Sequence, residues 1–161
     1  MNNNNKVTEE YFTSLLENIS SEAEKTFTMF DFIKKEIRSK INNIGQVEFC
    51  ELIFIIKAKT KFINFWFVLS SADNKPYSVN ISLGDNKDDQ YSFNLKDFLS
   101  FNNAEINNQL FFHWLKNYED SLDLSKNLFS EILKLTHTPE FDKILNTDFK
   151  PKIPKDYSPY K

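Results

Sequence analysis

Two histidines are the residues of this chain best suited to acid or base chemistry near neutral pH, because imidazole titrates in that range. His113 lies in the sequence FFHW beside the apolar stripe of a predicted helix, and His137 lies in LTHTP at the end of another. We interpret His113 as a packed or surface residue and His137 as a partner of the last helix carbonyls. The sequence contains no His-x-x-x-His or Cys/His spacing of the kind that holds structural zinc.

The single cysteine, Cys50, lies in the apolar run EFCELIF, which predicts a buried and unreactive thiol and excludes an intrachain disulfide. Phosphate-binding loops need several glycines at fixed offsets, and the chain has only Gly45 and Gly84. The sequence therefore predicts no cofactor and no metal. An enzyme in which His113 and scattered carboxylates converge in a cleft is kept as an alternative.

Six acidic residues are candidates for binding a partner protein: Asp85, Asp88, Asp89, Glu119, Asp120 and Asp123. The first three belong to the loop GDNKDD, which does not fit a calcium loop because Lys87 occupies an expected ligand position and no Glu closes the loop. This loop is interpreted either as an ordinary solvated hairpin loop or as a docking patch for a basic partner, formed with the other three acids.

Composition and charge narrow the classes of partner. The 161 residues include 20 Lys and Arg, 23 Asp and Glu and 17 Phe, for a net charge of −3. The charges are evenly spread along the chain, whereas a nucleic-acid-binding protein normally shows a basic patch, so no nucleic acid is expected as a partner. No apolar run approaches the roughly 18 residues of a membrane span, and no signal-peptide pattern opens the chain, so we expect a cytoplasmic protein without a membrane partner.

The middle of the chain predicts four strands, Val47 to Ile56, Phe62 to Leu69, Tyr77 to Leu83 and Tyr91 to Leu95. In the third strand apolar residues alternate strictly with Ser78, Asn80 and Ser82, and the fourth alternates in the same way, so each of these strands has one polar face. The first two strands are apolar at both parities, which predicts cover on both faces. The connections are short, and this favours an antiparallel meander.

Aromatic residues are concentrated in the second predicted strand, as Phe62, Phe65, Trp66 and Phe67. They lack the interleaved Lys or Arg of a surface that stacks on nucleic-acid bases, so we interpret them as core residues. Any of them that remained exposed would mark an interface.

Helical spacing of apolar residues flanks the strands on both sides. Two N-terminal helices are predicted, from about Thr8 to Asn18 and from Ser20 or Ser21 to Gly45, the second on the spacing of Phe27, Phe30, Ile37, Ile41 and Ile44. Three to four C-terminal helices are predicted: a turn over 96–101, a helix over 104–118, a helix through Leu124 to Leu135, and a short helix over 141–145 that follows Thr138 and Pro139.

The predicted fold is therefore α+β, with a four-stranded, mainly antiparallel sheet between two groups of helices. Residues 1–146 would form one domain, and residues 147–161, which are rich in proline, an extended tail.

The small size, the aromatic strands and the passage YSFNLKDFLSF, in which a strand leads directly into a short Leu/Phe helix, resemble the bacterial immunity proteins of toxin–immunity and contact-dependent growth-inhibition systems. The resemblance implies that the protein binds and neutralises a cognate toxin, often a nuclease with a basic cleft. An acidic surface would occlude that cleft, or the protein would bind elsewhere on the toxin. Another protein inhibitor, or an assembly subunit such as one of phage origin, is the alternative within the binding class.

Overall fold

A computed structural model gives the chain an α+β fold in which an antiparallel sheet packs against two helices. The structure describes residues 9–41, 44–45, 47–58, 61–71, 76–84, 93–94, 112–113, 117–139 and 142. In chain order the elements are α1 (Glu9–Thr26), β1 (Asp31–Ile41), β2 (Val47–Ala58), β3 (Lys61–Ser70), β4 (Tyr77–Gly84), β5 (Phe93–Asn94), β6 (Phe112–His113) and α2 (Asp120–Thr136).

The sheet is a meander of four long antiparallel strands in the order β1-β2-β3-β4. The two short strands both pair with β4, β5 opposite Ser82 and Leu83 and β6 opposite Tyr77 and Ser78. The predicted antiparallel meander is confirmed, and β2, β3 and β4 cover the first three predicted strands. Of the fourth predicted strand, residues 93–94 lie within the described part and pair with β4 as β5.

Alternation along β2, β3 and β4 sends one set of side chains into the core, as the period of two predicts. Thirteen residues form this buried face: Cys50, Leu52, Phe54, Ile56, Ala58, Ile63, Phe65, Phe67, Leu69, Tyr77, Val79, Ile81 and Leu83. The ladders place them in register across the strands, for example Leu52 opposite Phe67 and Phe67 opposite Val79.

Both helices pack on this buried face of the sheet. The ring of Phe129 on α2 lies edge-on to four other Phe rings at centroid distances of 5.6 to 6.0 Å, those of Phe27, Phe54, Phe65 and Phe67. Tyr118, just before α2, contacts Phe12 near the start of α1 at 4.9 Å, while Phe27 follows the end of α1. The two helices therefore run in roughly the same direction.

The prediction of two N-terminal helices is wrong. The first helix continues through Ser20 to Thr26, because Ile19, Ala23 and Phe27 extend its buried stripe. The remainder of the predicted second helix is β1, which turns into β2 near Gly45 with a φ of 79°. A glycine with positive φ suits a hairpin turn as well as a helix C-terminus, so Gly45 did not distinguish the two interpretations.

The predicted C-terminal helices are confirmed in one case. Helix α2 carries the predicted stripe, with Leu128, Phe129 and Ile132 buried. The predicted helix over 104–118 is wrong at Phe112–His113, which pair with β4 as a strand, and residues 104–111 lie outside the described part.

The backbone N–H of Asp142 donates to the Thr138 carbonyl at 3.0 Å, a single α-helical bond at the start of the short helix predicted over 141–145. The predicted turn over 96–101 and the tail over 147–161 lie outside the described residues.

Candidate binding face of the sheet

The sheet has a second face, here called the open face, on which neither described helix packs. It consists of Asp31, Lys34, Glu36, Arg38 and Lys40 from β1, Phe49, Glu51, Ile53, Ile55 and Lys57 from β2, Phe62, Asn64, Trp66, Val68 and Ser70 from β3, and Ser78, Asn80 and Ser82 from β4. The polar residues predicted for β4 lie on this face, as expected. Most buried residues of β2 to β4 point the other way because side chains alternate along a strand, although Glu51 and Ile55 of the open face are also buried.

Trp66 is the prominent aromatic residue of the open face. Its side chain is 45% exposed, whereas its neighbours in sequence, Phe65 and Phe67, are fully buried. The prediction that Trp66 belongs to the core is therefore wrong. It fails because Trp66 has the opposite parity to Phe65 and Phe67 and faces Ile53 and Asn80 in the ladders. An exposed aromatic residue of this strand is expected to mark an interface, so Trp66 is a candidate binding residue.

A carboxylate holds this tryptophan in place. The indole Nε1–H of Trp66 donates to Glu51 Oε2 at 2.7 Å, and the other carboxylate oxygen, Oε1, accepts from Arg38 Nη2 at 2.8 Å. Glu51 is only 8% exposed. A carboxylate this buried requires charged or hydrogen-bonded partners, and both of its oxygens have one.

The register of the strands creates this arrangement, here called the Arg38–Glu51–Trp66 network. Arg38 lies directly opposite Glu51 in the β1–β2 ladder, and Trp66 is two residues from Val68, which lies opposite Glu51 on β3. Directly opposed and diagonal side chains on one face are close enough to bond. Three adjacent strands thus fix one indole, one carboxylate and one guanidinium on the same face.

Further charges along β1 extend the network at longer distances. Glu36 lies 3.8 Å from Arg38 Nε and 3.6 Å from Lys34 Nζ. These exposed pairs contribute little to stability and leave the cations available to solvent. The open face therefore presents an ordered indole beside a mixed set of cations and carboxylates on β1.

Three of the six predicted acidic residues lie at the start of α2. Glu119 and Asp123 are exposed, and Asp120 Oδ2 accepts from the backbone N–H of Asn117 at 3.3 Å. A hydrogen bond from the Tyr11 hydroxyl lowers the pKa of Glu119, and burial together with this carboxylate raises the pKa of Tyr11 to about 12. Acidic residues in a first helical turn also stabilise the helix by its dipole.

The remaining predicted acids, Asp85, Asp88 and Asp89, lie outside the described residues, so the combined docking patch stays a prediction.

The remaining candidates for chemistry are the cysteine and the two histidines. Cys50 is fully buried, as predicted, and burial raises the pKa of its thiol to about 11. His137 follows α2 with Nδ1 2.8 Å from the Leu133 carbonyl, so this nitrogen carries the proton, and the predicted interaction with terminal carbonyls is confirmed. The backbone of His113 lies in β6 opposite Tyr77.

An open groove of about 460 Å³ runs along α1, lined by Glu9, Glu10, Thr13, Ser14 and Glu17. None of its lining residues is a histidine. Among the described residues, no group of three or more His, Cys, Asp or Glu side chains is arranged to hold a metal ion.

Sequence reasoning missed Arg38 and Glu51. The helix predicted from Ser20 or Ser21 to Gly45 includes Arg38, so the sequence does not place Arg38 in the sheet. Glu51 carried a usable signal, because a single carboxylate within the apolar run EFCELIFII needs a partner if the strand is covered. The identity of that partner depends on the register of β1 against β2.

The fold and the open face define an α+β protein with a meander sheet, two helices on one side and an ordered polar and aromatic network on the other. Comparison of the chain with models of known protein families, with curated proteins and with solved structures finds no match. In the part of the chain that the structure describes, no helix has the length and apolar character needed to cross a membrane.

Proposed function

We propose that this protein acts by binding another protein, and that it is an immunity protein that neutralises a bacterial toxin domain. The observation that carries the binding function is the exposed indole of Trp66, fixed by Glu51 on a sheet face free of the described helices. The toxin as partner is supported by the resemblance of the aromatic strands and the YSFNLKDFLSF passage to immunity proteins.

The network has the properties of a binding hot spot. Tryptophan and arginine are enriched among residues that dominate binding energy, because both combine a large contact area with directed hydrogen bonds. The bond to Glu51 orders the indole before a partner arrives, so less conformational entropy is lost on binding. Arg38, which retains N–H groups beyond those facing Glu51, can donate to a carboxylate or carbonyl of the partner.

The test combines protection in cells with affinity in solution. The protein is produced in bacteria together with each candidate toxin domain found by searching the genes that flank its own, and each purified pair is titrated by calorimetry. Wild-type protein should protect the cells, and Trp66→Ala should lose protection and weaken binding about 30-fold or more, the effect of a hot-spot residue.

Matched controls separate binding from folding. Trp66→Phe keeps most of the aromatic surface and should lose less affinity than Trp66→Ala. Lys126→Ala, at an exposed position of α2 on the opposite side of the sheet, should bind like the wild type. Circular dichroism should show that all three variants fold. Full protection and unchanged affinity in a folded Trp66→Ala variant would contradict the proposal.

A further inference from the structure

Exposed apolar side chains are concentrated at one edge of the sheet. Five large apolar side chains are exposed in the described residues, Met29, Ile33, Ile41, Ile44 and Trp66. The first four lie on β1 or within three residues of its ends, and they are between 43% and 75% exposed. This clustering gives β1 an exposed apolar character at both ends.

β1 is also the strand at one edge of the sheet. Among the described strands its one neighbour is β2, and its 11 residues span about 36 Å at the usual rise of a strand. Every second residue of an edge strand directs its N–H and C=O away from the sheet, where they can pair with another strand. The register of β1 shifts between Phe32 and Lys34 and again between Lys40 and Ile41, so the regular stretch from Lys34 to Lys40 is the part that suits the addition of an extended segment.

The charge of β1 indicates what kind of segment fits. The strand carries four cationic and two acidic side chains, a net charge of +2, in a chain whose net charge is −3. Lys34, Arg38 and Lys40 lie on the open face of the strand together with Asp31 and Glu36, so cations outnumber acids there by one. Each of the three cations also lies within 3.8 Å of a carboxylate, but all three stay more than half exposed. A second copy of β1 would bring like charges together, so self-pairing is disfavoured, while acidic side chains opposite these cations are favoured.

The helix-covered side of β1 favours apolar side chains in an added strand. Phe32 and Ile37 are half-buried there, at the edge of the core. Two carboxylates of α1 also reach this side, since Glu9 accepts from the Ser39 hydroxyl at 2.7 Å and Glu24 lies 3.7 Å from Lys35 Nζ. With one cation, Lys35, against these two carboxylates, this side is net acidic, so acidic side chains of an added strand are disfavoured here and apolar ones would extend the core.

We infer that β1 accepts an extended segment of the partner protein as an additional strand, with acidic side chains at alternate positions on the open face and apolar side chains between them. The inference rests on the proposed function, because it specifies a second contact with the same partner. Lys34, Arg38 and Lys40 would face the acids, and Phe32 and Ile37 would face the apolar side chains. Because the two sides of β1 differ in charge, only one parity of such a segment fits.

The probe is a blocked, fluorescently labelled nine-residue peptide of alternating Glu and Val, compared with one of alternating Lys and Val. Two further Glu–Val peptides are methylated at alternate backbone nitrogens. Each of them therefore lacks the N–H donors of one of its two edges and keeps those of the other edge. The unmodified Glu–Val peptide should bind at least tenfold more tightly than the Lys–Val peptide. One N-methylated peptide should retain binding and the other lose it, with NMR shift changes centred on residues 31–41.

Charge variants of the protein provide the matched test. Lys34→Glu with Lys40→Glu should reverse the preference to the Lys–Val peptide, and the milder Lys34→Gln with Lys40→Gln should abolish it. Lys126→Glu with Lys134→Glu changes the net charge equally on α2 and should leave the preference unchanged. Equal effects of the β1 and α2 pairs would overturn the inference by showing non-specific ionic adsorption. So would retention of binding by both N-methylated peptides.

The two proposals can fail separately. If Trp66→Ala loses toxin protection but no peptide binds β1, strand addition is wrong and the proposed function stands. If the peptides bind β1 as expected while Trp66→Ala protects fully, strand addition stands as a property of β1 and the hot spot on the open face is wrong.

Discussion

The hydroxyl oxygens of Tyr77 on β4 and Ser125 on α2 lie 3.1 Å apart, and both side chains are fully buried. This hydrogen bond joins the sheet to the helix in a region otherwise filled by aromatic rings, including Phe67 against Tyr77. Burial raises the pKa of Tyr77, although the hydrogen bond between Tyr77 and Ser125 opposes that rise. Each hydroxyl satisfies the other where water cannot.

We expect Tyr77→Phe to lower the free energy of unfolding by about 1 to 2 kcal/mol, because it leaves the Ser125 hydroxyl buried without its partner. Ser125→Ala should cost a similar amount by isolating the Tyr77 hydroxyl. The double variant should cost clearly less than the sum, since both polar groups are then absent. Urea unfolding of the four proteins measures this coupling, and strictly additive losses would show that the two hydroxyls do not depend on each other.

The bond between Trp66 and Glu51 predicts a graded effect of changing the carboxylate. Glu51→Gln keeps an oxygen for the indole N–H but loses the ion pair with Arg38, and should lower the free energy of unfolding by about 1 kcal/mol. Glu51→Ala removes both bonds and should cost about 2 kcal/mol or more. Urea unfolding gives both values, with Glu48→Gln as the control.

Glu48 is a matched control because it lies on β2, as Glu51 does, and it also forms an ion pair with a cation of β1. That pair, with Lys40 at 3.3 Å, is exposed. Such a pair contributes about 0.5 kcal/mol or less. If Glu51→Ala were no more destabilising than Glu48→Gln, the Arg38–Glu51–Trp66 network would not be the ordered structure that the binding proposal requires.

Strands β2 to β4 could be predicted from sequence because burial imposes a simple pattern on them. Where one face is buried, as in β4, apolar and polar residues alternate, and Ser78 and Asn80 identify the outer face. Strand β1 lacks this signal because most of its residues are exposed, none is fully buried, and it carries charges at both parities. Its isoleucines at 33, 37 and 41 are spaced like the apolar stripe of a helix. The segment is nevertheless a strand, because it pairs with β2.

The candidate site depends on that same strand. Arg38 and Glu51 are 13 positions apart, and only the register of β1 on β2 brings them together. The parity of Trp66 in β3 was readable from the sequence, but both parities of that strand are apolar, so parity alone could not identify the exposed face. Because the sequence predicts that β3 is covered on both faces, it does not identify Trp66 as a surface residue.

Two buried hydroxyls, on Ser20 of α1 and Ser121 of α2, have no hydrogen-bond partner within the described structure. A buried hydroxyl without a partner loses its hydration and gains no bond in return. We therefore expect Ser20→Ala and Ser121→Ala each to raise the free energy of unfolding, by up to about 1 kcal/mol, helped by the higher helix propensity of alanine.

The exposed Ser130 of α2 provides the control, since Ser130→Ala changes helix propensity without removing a buried polar group. A difference in urea midpoint between the buried and exposed substitutions measures the cost of the unpaired hydroxyls. Destabilisation by Ser20→Ala or Ser121→Ala would show that the hydroxyl is hydrogen-bonded in solution.

The buried thiol of Cys50 predicts how stability changes in alkali. Burial raises its pKa from the ordinary 9.0 to about 11, with a smaller contribution from Glu9. Between these values the unfolded chain releases the thiol proton while the folded protein keeps it, so the unfolded state binds fewer protons. The free energy of unfolding is therefore constant with respect to this group below pH 9 and falls as the pH rises toward 11.

Cys50→Ala tests this dependence, because alanine leaves a small cavity but does not titrate. The raised pKa values of Tyr11, Tyr77 and Tyr118 act with the same sign from their ordinary value of 10.0 upward. The urea midpoint of the wild type should begin to fall near pH 9, and that of Cys50→Ala about one pH unit later. Identical pH profiles for the two proteins would mean that the Cys50 thiol has the same pKa in the folded and unfolded states.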